Sequence, residues 1–152
     1  MTDADRSAIR CTAAFGGWTV FAWATRIRNA AADTDLDAPA KVVAVGSAVG
    51  FTALGVTVLV YAWRHRRDGF APGAERYVGA FAALTTLWWS VRTVLVWVHD
   101  NSTGFRVVHT VLAVVSIALG VAAYRATSRA SVRHRQPPPA FKNSPTEHTT
   151  TS

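Results

Sequence analysis

A transmembrane bundle of four α-helices is the fold class this sequence predicts, and three observations predict it. Of the 152 residues, 50% are hydrophobic and 16% are charged, against about 25% charged in an ordinary soluble domain. The charges are also unevenly spread: Val42–Trp63 is a run of 22 residues without one, and Tyr77–Val91 a run of 15. Finally, arginine gathers at the borders of the apolar runs, as in Arg64-His65-Arg66-Arg67. About 20 predominantly apolar residues at 1.5 Å per residue cross the roughly 30 Å of a bilayer's hydrocarbon.

The first candidate span covers residues 9–28. It is the shortest, because only 15 uncharged residues, Cys11–Thr25, separate Arg10 from Arg26. It spans only if an arginine snorkels its charge to the interface along its apolar stem. A cleaved signal peptide ending near Ala30-Ala31-Ala32 is the rival reading. Gly16-Gly17, two tryptophans and the Arg26/Arg28 pair favour a retained helix. The second span, residues 42–63, is bounded by Lys41 and Arg64. The third, residues 77–98, carries Trp88, Trp89 and Trp97 and one internal charge, Arg92. The fourth, residues 107–124, begins near His109 and stops at Arg125.

The connections are short and rich in breakers: Asp33, Asp35, Asp37 and Pro39 in the first, Gly69, Pro72 and Gly73 in the second, Asn101 and Gly104 in the third. Short links make successive helices antiparallel neighbours. One membrane domain is therefore expected over residues 1–128. A disordered cytoplasmic tail is expected over 129–152, where Pro137-Pro138-Pro139 and a threonine-rich end leave too little apolar surface to fold. The amino end, second connection and tail share one side and hold eleven Lys and Arg residues. The first and third connections hold four. By the positive-inside rule both termini face the cytoplasm.

Several function classes fall away. The net charge of +7 lies at the borders of apolar segments rather than on a recognition face, so no nucleic-acid partner is expected. The single cysteine, Cys11, excludes an internal disulfide and any CxxC site. No Asp or Glu lies within a predicted span, which argues against proton-coupled carriers that cycle a membrane carboxylate. No catalytic residue, metal site or cofactor is expected.

What remains is a cluster of polar groups towards the outer face: Arg26, Arg92, His99, Asp100, Arg106 and His109. On one reading they form a pocket for an anionic group, with Arg26 and Arg92 as clamps and Asp100 as their counter-ion. On the other, Arg92 merely snorkels past Trp88 and Trp89, and His109 packs beneath the third connection. Gly46 and Gly50, with Ser116 and Gly120, stand at the small-xxx-small spacing that lets helix backbones approach. They suit packing within the bundle or a contact between copies of the chain. Arg125, Arg129 and Arg133 recur every four residues beyond the fourth span and suit anionic headgroups at the cytoplasmic face.

The stretches Phe21–Asn29 (FAWATRIRN) and Gly104–Ser116 (GFRVVHTVLAVVS), with Trp89, Arg92 and His99-Asp100, resemble a group of small integral membrane proteins of high-GC Gram-positive bacteria. That group has no assigned activity, and the resemblance covers residues 10–124. It implies a four-span protein of the bacterial cytoplasmic membrane and nothing about chemistry. The function expected is an accessory or structural component of a membrane complex, without enzymatic activity. Two alternatives stand beside it. One is a holin-like lysis protein, since such proteins are small and polytopic with charged tails. The other is a haem-binding electron-transfer subunit with His99 and His109 as axial ligands.

Overall fold

A computed structural model describes residues 2–34, 37–70 and 73–135, with the backbone alone for residues 134 and 135. The chain forms α1 (Asp3–Ala32), α2 (Ala38–Arg64), α3 (Ala74–Val98) and α4 (Thr103–Arg135). By length and composition α2, α3 and α4 can each cross a membrane. The α1 helix has the length, at 30 residues, but its uncharged core is short, and it does not join them on composition.

Three of the four helices start where a side chain accepts from an otherwise unpaired amide, and α3 starts at a glycine. Thr2 and Asp5 form a reciprocal capping box on α1: the Asp5 amide donates to Thr2 Oγ1 (3.2 Å), and the Thr2 amide to Asp5 Oδ2 (2.9 Å). Asp37 caps α2 by accepting from the Ala40 amide at 2.8 Å, with Pro39 in the first turn, where no amide is needed. Gly73 (φ 94°) precedes α3, and Ser102 Oγ accepts from the Phe105 amide at the start of α4.

The α1 helix is central. It packs along both α2 and α4, and α3 packs on α4. The α2 and α3 backbones stay farther apart and meet through aromatic rings: Tyr61–Tyr77 at 6.4 Å, Phe51–Phe81 at 6.5 Å and Phe51–Trp88 at 5.3 Å between centroids. Trp23 of α1 stacks on Phe51 with rings 4.5 Å apart and 6° from parallel, so the mid-bundle core is a plug of rings from α1, α2 and α3. Large apolar side chains also cover the outside: Val42, Val49, Val56 and Trp63 on α2, Leu84, Leu87, Val91 and Val94 on α3, Val107, Val111 and Val114 on α4. An exposed apolar surface so continuous suits hydrocarbon rather than water.

The small residues divide. Ser116 is buried and accepts from Trp18 Nε1 at 2.9 Å. A methyl on Gly120 would lie 3.4 Å from Ala82 Cβ and the Phe15 ring. Gly46 and Gly50, by contrast, face outward with no neighbouring atom within 4 Å of a Cβ, so they do not pack within the bundle. The close crossing of α1 and α2 is made instead by Gly16 and Gly55. The reason is geometric: α2 turns Ala48, Phe51, Gly55, Val58 and Ala62 towards the core, and Gly46 and Gly50 fall on the other face.

The carboxyl-terminal boundary also moves. Residues 129–135, expected in the disordered tail, continue α4 as helix. Ala130 is buried in a second small core with Ala8, Ala62, Phe70 and Ala74, and Ser131 Oγ donates to Glu75 Oε2 at 2.8 Å. Small apolar residues and one hydroxyl between arginines are enough to hold two further turns. The rest of the expected tail lies outside the described residues.

Candidate functional site

Arg26 lies six residues before the end of α1, Arg92 six before the end of α3, and His109 six after the start of α4. All three therefore sit roughly 9 Å in from the same end of the bundle. They line one cavity of about 650 Å³ to which all four helices contribute. That volume is in the roughly 300–1,000 Å³ range of small-molecule sites. The helical spacing explains the convergence: Ala22, Arg26 and Asn29 on α1, Ala40, Val43, Ala44 and Ser47 on α2, Trp88 and Arg92 on α3, and His109 and Leu112 on α4 each share a face.

Below the cavity the aromatic plug forms a floor. Trp23 contacts Trp88 edge-on at 5.8 Å and Trp89 at 6.0 Å, and all three indoles also line the cavity. No carboxylate lines the cavity among the described residues. Arg26, Arg92 and His109 lie close enough to feel one another's charge, and no hydrogen bond or ion pair engages either guanidinium among the described residues. His109 Nδ1 lies 3.0 Å from the Phe105 carbonyl, so the ring donates there and keeps Nε2 free. The site is a cationic mouth over an aromatic floor.

The other three polar groups do not reach this cavity. His99 ends α3, with extended backbone (ψ 156°) and Nδ1 2.9 Å from the Leu95 carbonyl. Arg106 donates from Nη2 to the His99 carbonyl at 3.1 Å, and its guanidinium lies 5.6 Å from the Trp97 ring centroid. A cation against the last carbonyls of a helix is a structural cap. Asp100 is exposed and makes no ion pair with Arg92 among the described residues, so it is not the counter-ion expected of it. The cause is the turn at His99, which takes the chain off the face of α3 that carries Arg92. Arg92 also does not stack on a tryptophan; the cation–π pairs among the described residues are Arg66 over Trp63 and Arg106 over Trp97.

Of the two histidines paired in the haem reading, only His109 lines the cavity. No group of three or more metal-ligating side chains occurs among the described residues. Sequence reasoning did not find Trp23, Asn29 or Ser47 as site residues. For Trp23 and Asn29 the signal was a spacing of three residues on either side of Arg26 on α1; Ser47 on α2 had no such marker.

At the opposite end, Arg125, Arg129 and Arg133 line an open groove with Asp3, Ser7 and Cys11 of α1. Asp3 pairs with Arg6, and that guanidinium, with a smaller contribution from Arg133, holds its carboxyl below the usual aspartate value. The basic stripe therefore runs along a helix–helix groove, with one carboxylate already neutralised by a local partner. No protein-family model, curated protein or solved structure matches this chain.

Proposed function

We propose that this chain is a four-span protein of the bacterial cytoplasmic membrane, with both termini in the cytoplasm. In this reading it serves as a non-enzymatic accessory or structural component of a membrane complex. The observation that carries the reading is the apolar outer surface of α2, α3 and α4, combined with α1 held along both α2 and α4. A helix gripped on two sides by spanning helices is carried across with them. Its Arg26 need not meet lipid, because it faces a cavity inside the bundle. The excess of arginine around the amino end, the second connection and the end of α4 supports the orientation. The resemblance of residues 10–124 to small membrane proteins of high-GC Gram-positive bacteria supports the compartment.

Reporter fusions test it. Fusions after Asp35 and Asn101 are expected to read periplasmic, and those after Gly69 and Ser144 cytoplasmic. A cytoplasmic signal after Asn101 overturns the topology. A protein that begins near Asp33 when isolated from membranes overturns the first span. Extraction in mild detergent is expected to bring down a stoichiometric membrane partner, and recovery of the chain alone from native membranes would remove the accessory role.

A further inference from the structure

We infer that the cavity at the Arg26/Arg92 end of the bundle binds one anionic amphiphile, a phosphate or carboxylate carried on an acyl-type chain. The inference deepens the membrane reading given above and rests on it for the identity of the surrounding solvent.

Three features point to an anion. Arg26, Arg92 and His109 converge from three different helices, no carboxylate lines the cavity among the described residues, and neither guanidinium has a protein partner among them. Partly buried guanidinium groups without partners are costly, and a bound anion that pairs with both removes that cost. Two forks facing one space suit an oxyanion with several acceptor oxygens. Asn29, nearer the helix ends than the charges, and Ser47, deeper than them, add uncharged hydrogen-bonding groups to the lining.

Two further features point to an apolar body on that anion. The walls below the charges are Trp23, Trp88 and Leu112, which offer surface to a chain and not to a hydrated ion. The second feature is the seam between α2 and α3. Its ring contacts run from Tyr61–Tyr77 up to Phe51–Trp88. Beyond that rung the cavity occupies the seam, with the exposed Val43 at its rim. The charges lie roughly 9 Å in from the helix ends, a depth suited to a headgroup whose chain leaves through the seam. The ring plug below closes the path, so the ligand is held rather than passed through.

The test uses the purified full-length chain in neutral maltoside detergent, with Arg125, Arg129 and Arg133 changed to Gln so that the basic groove at the other end contributes nothing. Dodecyl phosphate, dodecanol and inorganic phosphate are titrated separately, and bound ligand per chain is counted by native mass spectrometry. Dodecyl phosphate is expected to saturate at one per chain, with dodecanol and inorganic phosphate at least tenfold weaker. Arg26→Gln with Arg92→Gln is expected to weaken dodecyl phosphate at least tenfold. Ala44→Leu, which narrows the cavity without touching a charge, is expected to weaken it likewise. Inorganic phosphate binding as tightly as dodecyl phosphate would assign the site to a free anion and overturn the amphiphile. Unchanged dodecyl phosphate binding in both the double-Gln and the Ala44→Leu proteins, each with an unshifted melting curve, would overturn the site itself. Neither result depends on topology, so failure here is separable from failure of the reporter fusions.

Discussion

Gly16 and Gly55 cross with their backbones in contact: a methyl built on Gly16 would stand 3.0 Å from the Gly55 carbonyl oxygen, and one on Gly55 3.2 Å from that of Gly16. The crossing joins α1 to α2 where neither helix has room for a side chain. In hydrocarbon, helices associate by close packing rather than by escape from water, so such a crossing carries much of the adhesion. Gly55→Ala is expected to destabilise the protein by about 1–3 kcal/mol, the usual cost of overpacking. Gly46→Ala, on the outward face of the same helix where a Cβ meets nothing, is expected to be neutral or to stabilise by up to about 1 kcal/mol. Melting temperatures in detergent check both. Equal effects from the two substitutions would refute the assignment of the crossing.

The second prediction concerns Arg92 and Asp100. The sequence places them about two turns of rise apart, Arg92 in the third helix and Asp100 two residues past its end, which invites an ion pair. The structure ends that helix at Val98, and Asp100 is exposed. Arg92→Leu and Asp100→Asn are therefore expected to act additively on thermal stability, within about 0.5 kcal/mol. Coupling beyond that limit would show that the pair forms after all.

The four helices were legible because charge-free runs and arginine borders are one-dimensional signals, and α2 follows Lys41 and Arg64 closely. Half of the candidate site was legible too. Arg26, Arg92 and His109 share a depth that can be counted from the helix ends. Asp100 and His99 misled because sequence distance does not say which way a chain turns at a helix end, and His99 has extended backbone. Gly46 and Gly50 misled for a related reason. A GxxxG spacing shows that two glycines share a face, but only the packed bundle tells which face is inside.

Asp3 gives a pH prediction. Its hydrogen bond and charge interaction with Arg6, aided by Arg133, depress its pKa in the folded chain. A depressed carboxylate contributes stability that is present above its unfolded pKa and is lost as pH falls through the folded one. The contribution is small, because the pair is exposed on the surface. A nuclear magnetic resonance titration of the Asp3 carboxyl is expected to find a midpoint below the ordinary aspartate value. Arg6→Gln is expected to raise it. A midpoint unmoved by that substitution would show that the Arg6 pair does not persist in solution.

The last prediction separates a packed helix from a tail at the end of α4. The composition of residues 129–135 is basic and polar, and nothing in it demands order. What orders it is Ala130, buried against Ala8, Ala62, Phe70 and Ala74, and the Ser131–Glu75 hydrogen bond that ties α4 to the first turn of α3. Trypsin cleaves after arginine only where the backbone unfolds locally, so Arg129 and Arg133 report on this packing. In the folded protein both bonds are expected to resist a trypsin dose that cuts an unstructured peptide of residues 125–135. Ala130→Asp puts a charge among four apolar side chains, and the last two turns are expected to open. Cleavage after Arg129 is then expected to rise at least tenfold, which corresponds to about 1.4 kcal/mol of lost protection. Ser131→Ala removes one hydrogen bond and is expected to raise cleavage only severalfold. Rapid cleavage after Arg129 in the unaltered protein would return residues 129–135 to the tail.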